Sequence, residues 1–125
     1  MRWLYHLRPV GPAPQGRYAP ASLSTEGFVH ASYRDDVVES ARLHFPPGSA
    51  LEVVVIDPHR LDVPVQVAAT PRGGMPHIHG SIPDDAIASV VSLATFEVER
   101  PTMPDEVGDL MAADRASRLG ARASD

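Results

Sequence analysis

The segment Leu51-Glu52-Val53-Val54-Val55-Ile56 constrains this chain most, because five of its six residues are apolar. A run of that composition cannot present one wet face, so it reads as a central strand buried on both sides. The rest of the chain must supply two covers, and 125 residues are enough for one such core and one domain.

The covers can be read from hydrophobic periodicity. Arg2 to Arg8 alternates as a strand, with Trp3, Tyr5 and Leu7 on one face and Leu4 and His6 on the other. Pro9 to Ala21 holds four prolines and two glycines and is expected to be a loop. Phe28 to Ala31 reads as a short strand opening into a helix, with Ser32 as its N-cap, Asp35 at its third position and Val37, Val38, Ala41 and Phe45 as its apolar stripe. Pro46-Pro47-Gly48 stops that helix. Asp57-Pro58 turns the chain, and Val63 to Ala68 is expected to pair antiparallel with the central strand. Arg72-Gly73-Gly74 reads as a flexible loop before a strand carrying His77 and His79. Ser81 to Asp85 is a capped turn, Ala86 to Glu99 a long strand with a helical start, and Met103 to Leu119 a C-terminal helix. The expected fold is α+β: a small mixed or split sheet with flanking helices, and a helical extension over residues 101–125 after a domain of residues 1–100.

Charge and composition remove several function classes. The formal charge of −5 gives no field to attract nucleic acid or an anionic membrane, and no stretch approaches the length of a membrane span. All eleven basic residues are arginine, so Schiff-base chemistry is excluded; without cysteine there is no disulfide, thiol nucleophile or zinc–thiolate site. The N-terminus lacks an apolar run of signal-peptide length, and a soluble cytoplasmic protein is expected. Glycine-rich dinucleotide and phosphate loops, HExxH and Gly-x-Ser-x-Gly are all missing.

Chemistry is concentrated in histidine. Four of the six histidines lie in apolar segments: His6 in Tyr5-His6, His30 in Gly27-Phe28-Val29-His30-Ala31-Ser32, and His77 and His79 in Pro76-His77-Ile78-His79-Gly80. Strand spacing puts Phe28 and His30 on one face, and His77 with His79 on one face opposite Ile78. Imidazoles sharing a cleft suit sugar-hydroxyl or phosphate recognition, proton transfer or a metal. Paired histidines at i, i+2 can ligate zinc, but no Asp or Glu accompanies them and no metal is favoured. Each histidine could equally cap a carbonyl or line a wall. Glu26 would orient a hydroxyl or act as a base, or else cap local amides. Ser32 stands where a helix start offers free amides to a phosphate, and Arg72 with two glycines would form an anion-binding loop or face solvent.

These blocks, in order, resemble the domain of unknown function 952 family, whose members read I-Y-H, G-F-I-H-x-S, a strand ending in I-D, and P-H-L-Y-G. The resemblance covers roughly residues 2 to 98. It implies a compact ADP-ribosyltransferase-like fold, a split sheet whose cleft holds NAD in active relatives; a fainter likeness extends to RNA 2′-phosphotransferases. By that comparison His6 and His30 would face the nicotinamide-ribose region with Ser32 nearby. His77 and His79 would occupy the strand where active transferases carry a catalytic Glu. This chain has none there, which argues against ordinary protein ADP-ribosylation. It departs from the family also in His79, where a Tyr is usual, and in a Pro-rich loop where a helix usually separates the first two blocks.

The expected function is a His-lined cleft binding NAD or a related ADP-ribose nucleotide, with a possible transferase or glycohydrolase activity. In it His30 or His79 would handle a proton and His6, Glu26, Ser32, His77 and Arg72 would hold the ligand. The alternative is a metabolite-binding or regulatory domain without turnover. The expected partner in either case is a small molecule.

Overall fold

The computed structural model describes residues 1–12 and 16–106. In chain order the elements are β1 (Leu4–Pro9), α1 (Ala21–Glu26), β2 (Val29–His30), α2 (Val37–His44), β3 (Leu51–Ile56), β4 (Val65–Thr70), β5 (Gly73–Ile78), β6 (Ile87–Ser92) and α3 (Leu93–Glu99). The class is α+β, and the sheet is split into two antiparallel three-stranded halves, β1-β3-β6 and β2-β5-β4. Tyr5 and Ser32 stitch the halves together by exchanging both backbone hydrogen bonds, at 2.9 and 2.7 Å.

β3 is the central strand that its composition requires. Val53 and Val55 pack with Trp3, Tyr5, Val37 and Phe96, the side covered by α2 and α3. Val54 and Ile56 point the other way, into a cluster with Leu4, Val29, Ile78 and Ile82 between the two sheets. Burying each such side chain stabilises the fold by about 1.5–3 kcal/mol relative to exposure. The alternation expected for the first strand holds as well, since Trp3 and Tyr5 join one cluster and Leu4 the other.

Several local expectations are corrected. The Val63 to Ala68 segment does not pair with the central strand; β4 forms a hairpin with β5, from Val65 opposite Ile78 to Thr70 opposite Gly73. β6 takes the free edge of β3 instead. Gly73 and Gly74 are therefore strand residues, and the hairpin turn is Pro71-Arg72. The segment after Asp85 runs in the reverse order to that expected, strand before helix. Its switch point is Ser92, whose hydroxyl accepts from the Thr95 N–H at 3.0 Å and so caps α3. Ser32 caps nothing, because the chain makes a short turn over Arg34–Asp36 before α2 begins at Val37. A helix does separate β1 from β2: α1 ends at Gly27, whose φ of +87° lets its N–H return to the Leu23 carbonyl.

Near the C-terminus, α3 is followed by a turn at Arg100–Thr102, and Asp105 and Glu106 run antiparallel beside Trp3 and Arg2. The remainder of the expected helix, from Val107, lies outside the described residues. Among the described residues, no helix is long and apolar enough to cross a membrane.

Candidate functional site

The register of β2 against β5 decides where two imidazoles go. His30 stands directly opposite His77, and with Val29 and Ile78 turned into the core both rings must emerge on the outer face. Phe28 anchors them: its ring stacks on His77 at 3.9 Å and meets His30 edge-on at 4.8 Å. His79 lies 5.7 Å from the same ring. The expected sharing of faces is therefore observed.

His6 reaches this group from the first sheet. It is buried, and both its nitrogens are committed, Nδ1 to the His30 carbonyl at 2.7 Å and Nε2 to the Tyr18 hydroxyl at 2.8 Å. A carbonyl only accepts, so Nδ1 carries the proton and Nε2 accepts from the phenol. Burial pushes the imidazole down to about 4, against the backbone hydrogen bond, so the ring is neutral at pH 7. His77 is also held below the ordinary histidine range, by burial first and then by the charges of His30 and His79. The Tyr18 phenol is raised, again chiefly by burial, with the neighbouring Arg8 opposing.

A cleft of about 860 Å³ opens beside these residues. Of the seven residues expected to form the site, His6, His30, Ser32, Arg72 and His77 line it, brought together from four separate stretches of chain. Glu26 and His79 do not line it. Glu26 is instead a neighbour of one wall, its carboxylate 3.1 Å from Nε2 of His30 one helical turn away in sequence. His79 is turned aside, with Nε2 buried and unpartnered among the described residues. Ser32 is buried at the cleft wall and its hydroxyl meets that of Ser40 at 2.8 Å. Arg72 is not a loose loop cation: it donates to Glu39 (3.0 Å), Ser40 (3.0 Å) and the Asp36 carbonyl (3.2 Å), clamping the hairpin turn onto α2. Three of its five N–H donors are thereby used.

The sequence did not single out several polar groups of the lining, among them Arg8, Tyr18, Ser40 and His44. Arg8 was within reach, since it follows His6 by two residues on a strand and shares its face. Tyr18 is the aromatic anchor of the Pro-rich loop, fixed by a backbone bridge to Ile82 and flanked by Arg17, which grips Asp62 at 2.6 and 2.9 Å. Nothing local signals that Tyr18 reaches His6. Among the described residues, no three His, Asp or Glu side chains are placed to share a metal ion.

The fold is similar to the crystal structure of protein CC0527 from Caulobacter crescentus, a structural genomics target. The two align with a TM-score of 0.61 over 88% of this chain and 98% of that one, at 20% identity. A double mutant of the same protein matches equally well, with a TM-score of 0.61 and 19% identity. At such identities the likeness concerns the fold. No curated protein matches the chain. The family model does match, over residues 12–90, and the chain thus belongs to the family described as protein of unknown function (DUF952).

Proposed function

We propose that this chain is a small cytoplasmic domain, ADP-ribosyltransferase-like, whose cleft binds NAD or a related ADP-ribose nucleotide. The observation that carries the reading is the convergence of His6, His30, Ser32, Arg72 and His77 on one cleft of about 860 Å³. That volume lies within the range of small-molecule sites, and a mostly apolar wall with a few fixed polar groups is the usual design of one. His6 plays a positioning part: with both nitrogens occupied, it orders Tyr18 and the His30 backbone rather than gripping a ribose directly. His30, exposed and paired with Glu26, is the group able to exchange a proton with a bound ligand.

The second reading is binding without turnover. It is favoured by the absence of any Asp or Glu among the described cleft-lining residues, which leaves no carboxylate in the lining itself to stabilise a sugar cation or activate an acceptor. Calorimetric titration with NAD, ADP-ribose and 2′-phosphorylated nucleotides tests the common claim, and chromatographic detection of released nicotinamide separates the two readings. His30→Ala is expected to weaken binding. If no nucleotide binds below about millimolar, the proposal fails.

A further inference from the structure

We infer that the cleft is an anion receptor, with Arg8 as its principal cation and a small molecule bearing a phosphate or carboxylate group as its ligand. This rests on reading the cleft as a binding site, and it adds the chemical class of what binds.

The chain carries −5 overall, yet the cleft lining contains, among the described residues, two arginines, Arg8 and Arg72, four histidines and no carboxylate. A random sample of this surface would be acidic. Instead the acidic side chains that pair with the two arginines, Glu52 and Glu39, approach from outside the lining.

Arg8 is the better placed of the two. Its side chain is only 11% exposed, and its Nε donates to Glu52 at 3.0 Å. Its guanidinium carbon lies over the Tyr18 ring, 5.3 Å from the ring centre, with the phenol as a neighbour, and the two Nη groups carry four further N–H bonds. A guanidinium held in a part-buried site and paired with a carboxylate through Nε still presents, in its Nη groups, the forked edge that arginine matches best to an oxyanion. Water is partly excluded there, so the attraction is less screened than on a surface. Around it the chain supplies neutral polar groups at fixed positions, among them the Ser32–Ser40 hydroxyl pair, one of whose two O–H groups is spent on the other, and the ring of His77. Burial is the main cause that lowers the proton affinity of His6, and the charge of the neighbouring Arg8 adds to it in the same direction. A cationic ligand would meet no carboxylate among the described lining residues.

The test compares charged with neutral probes on the full chain by calorimetry: pyrophosphate, ADP-ribose, succinate and adenosine, each at low and high sodium chloride. The expected result is that at least one anion binds, that adenosine binds far more weakly, and that anion affinity falls with salt. Arg8→Gln should weaken anion binding by about tenfold or more, with partial recovery in Arg8→Lys. Pyrophosphate or succinate alone as the binder identifies a phosphate or a carboxylate ligand respectively. Adenosine binding as tightly as ADP-ribose, salt-independent binding, or unchanged affinity in a folded Arg8→Gln protein overturns the inference. Should Arg8→Gln fail to fold, the salt and neutral-probe comparisons on the unaltered chain still decide. Anion binding without any nucleotide binding leaves this inference standing and defeats the nucleotide proposal; salt-independent nucleotide binding does the reverse.

Discussion

Nε2 of His6 stands 2.8 Å from the phenol oxygen of Tyr18, and that single hydrogen bond ties the Pro-rich loop to the first sheet inside the cleft. Because the ring is neutral and Nδ1 donates to the His30 carbonyl, the phenol must donate to Nε2. Tyr18→Phe removes the donor while keeping the ring that packs 5.3 Å from the imidazole. A buried acceptor is left unpaired, and the expected cost is about 1–3 kcal/mol. Urea unfolding should show a lower midpoint with an unchanged slope. An unshifted midpoint would mean that Nε2 finds water instead.

The same histidine sets a pH dependence whose sign is fixed by the direction of its shift. In the folded chain His6 protonates only near pH 4, whereas the unfolded chain takes up that proton from about pH 6.5. Between those values the unfolded state binds more protons, so stability is full above the upper pH and lost progressively toward the lower one. The loss attributable to His6 is about 3 kcal/mol. Carboxylates titrate in the lower part of this window, so the measurement is the difference in slope between the natural chain and His6→Gln. Equal slopes would show that the imidazole is not held neutral.

Gly27 closes α1 with a φ of +87°, and no atom lies within 4 Å of where a Cβ would stand. Gly27→Ala therefore isolates the backbone term. The expected destabilisation is about 1–2 kcal/mol from placing an L side chain in the left-handed region. Gly27→Asn should cost less, since Asn tolerates that conformation better. Thermal unfolding of the two variants side by side checks the ordering.

Elements held by long periodic patterns were legible in the sequence, and those decided by a single hydroxyl or a pairing choice were not. β3 announces itself because burial on both faces leaves no room for polar residues, and the two faces of β1 follow from strict alternation. The partner of β3 could not be read, since Val63 to Ala68 and Ile87 to Ser92 have similar apolar composition. Register chose the latter, with the former folding back on β5 through the Pro71-Arg72 turn. Ser32 looked like a cap because it precedes acidic residues, but its backbone is taken by Tyr5 and its hydroxyl by Ser40. The serine that does cap a helix is Ser92, before α3, which no acidic residue follows in its first turn. For the site, strand parity placed Phe28, His30, His77 and His79 together, yet parity says nothing of where a cleft ends, and His79 lies beyond its lining. Tyr18 joins through a contact across a loop that no local pattern encodes.

A final prediction separates the two sides of α3, the helix that covers the outer face of β3. Phe96 is fully buried there, edge-on to Tyr5 at 5.4 Å and packed against Val53 and Val55. Val98, two residues on, is 80% exposed. Phe96→Ala removes a ring and leaves a cavity between helix and sheet, at an expected cost of about 3–5 kcal/mol. Val98→Ala changes an exposed apolar group and should fall within about 0.5 kcal/mol of the natural chain. Because Phe96 contacts Tyr5 and Tyr5 pairs with Ser32, amide exchange in the Phe96→Ala protein should also rise at the seam between the two sheets. Denaturant titration and hydrogen exchange measure both effects. A Phe96→Ala protein as stable as Val98→Ala would show that α3 does not cover this face of β3.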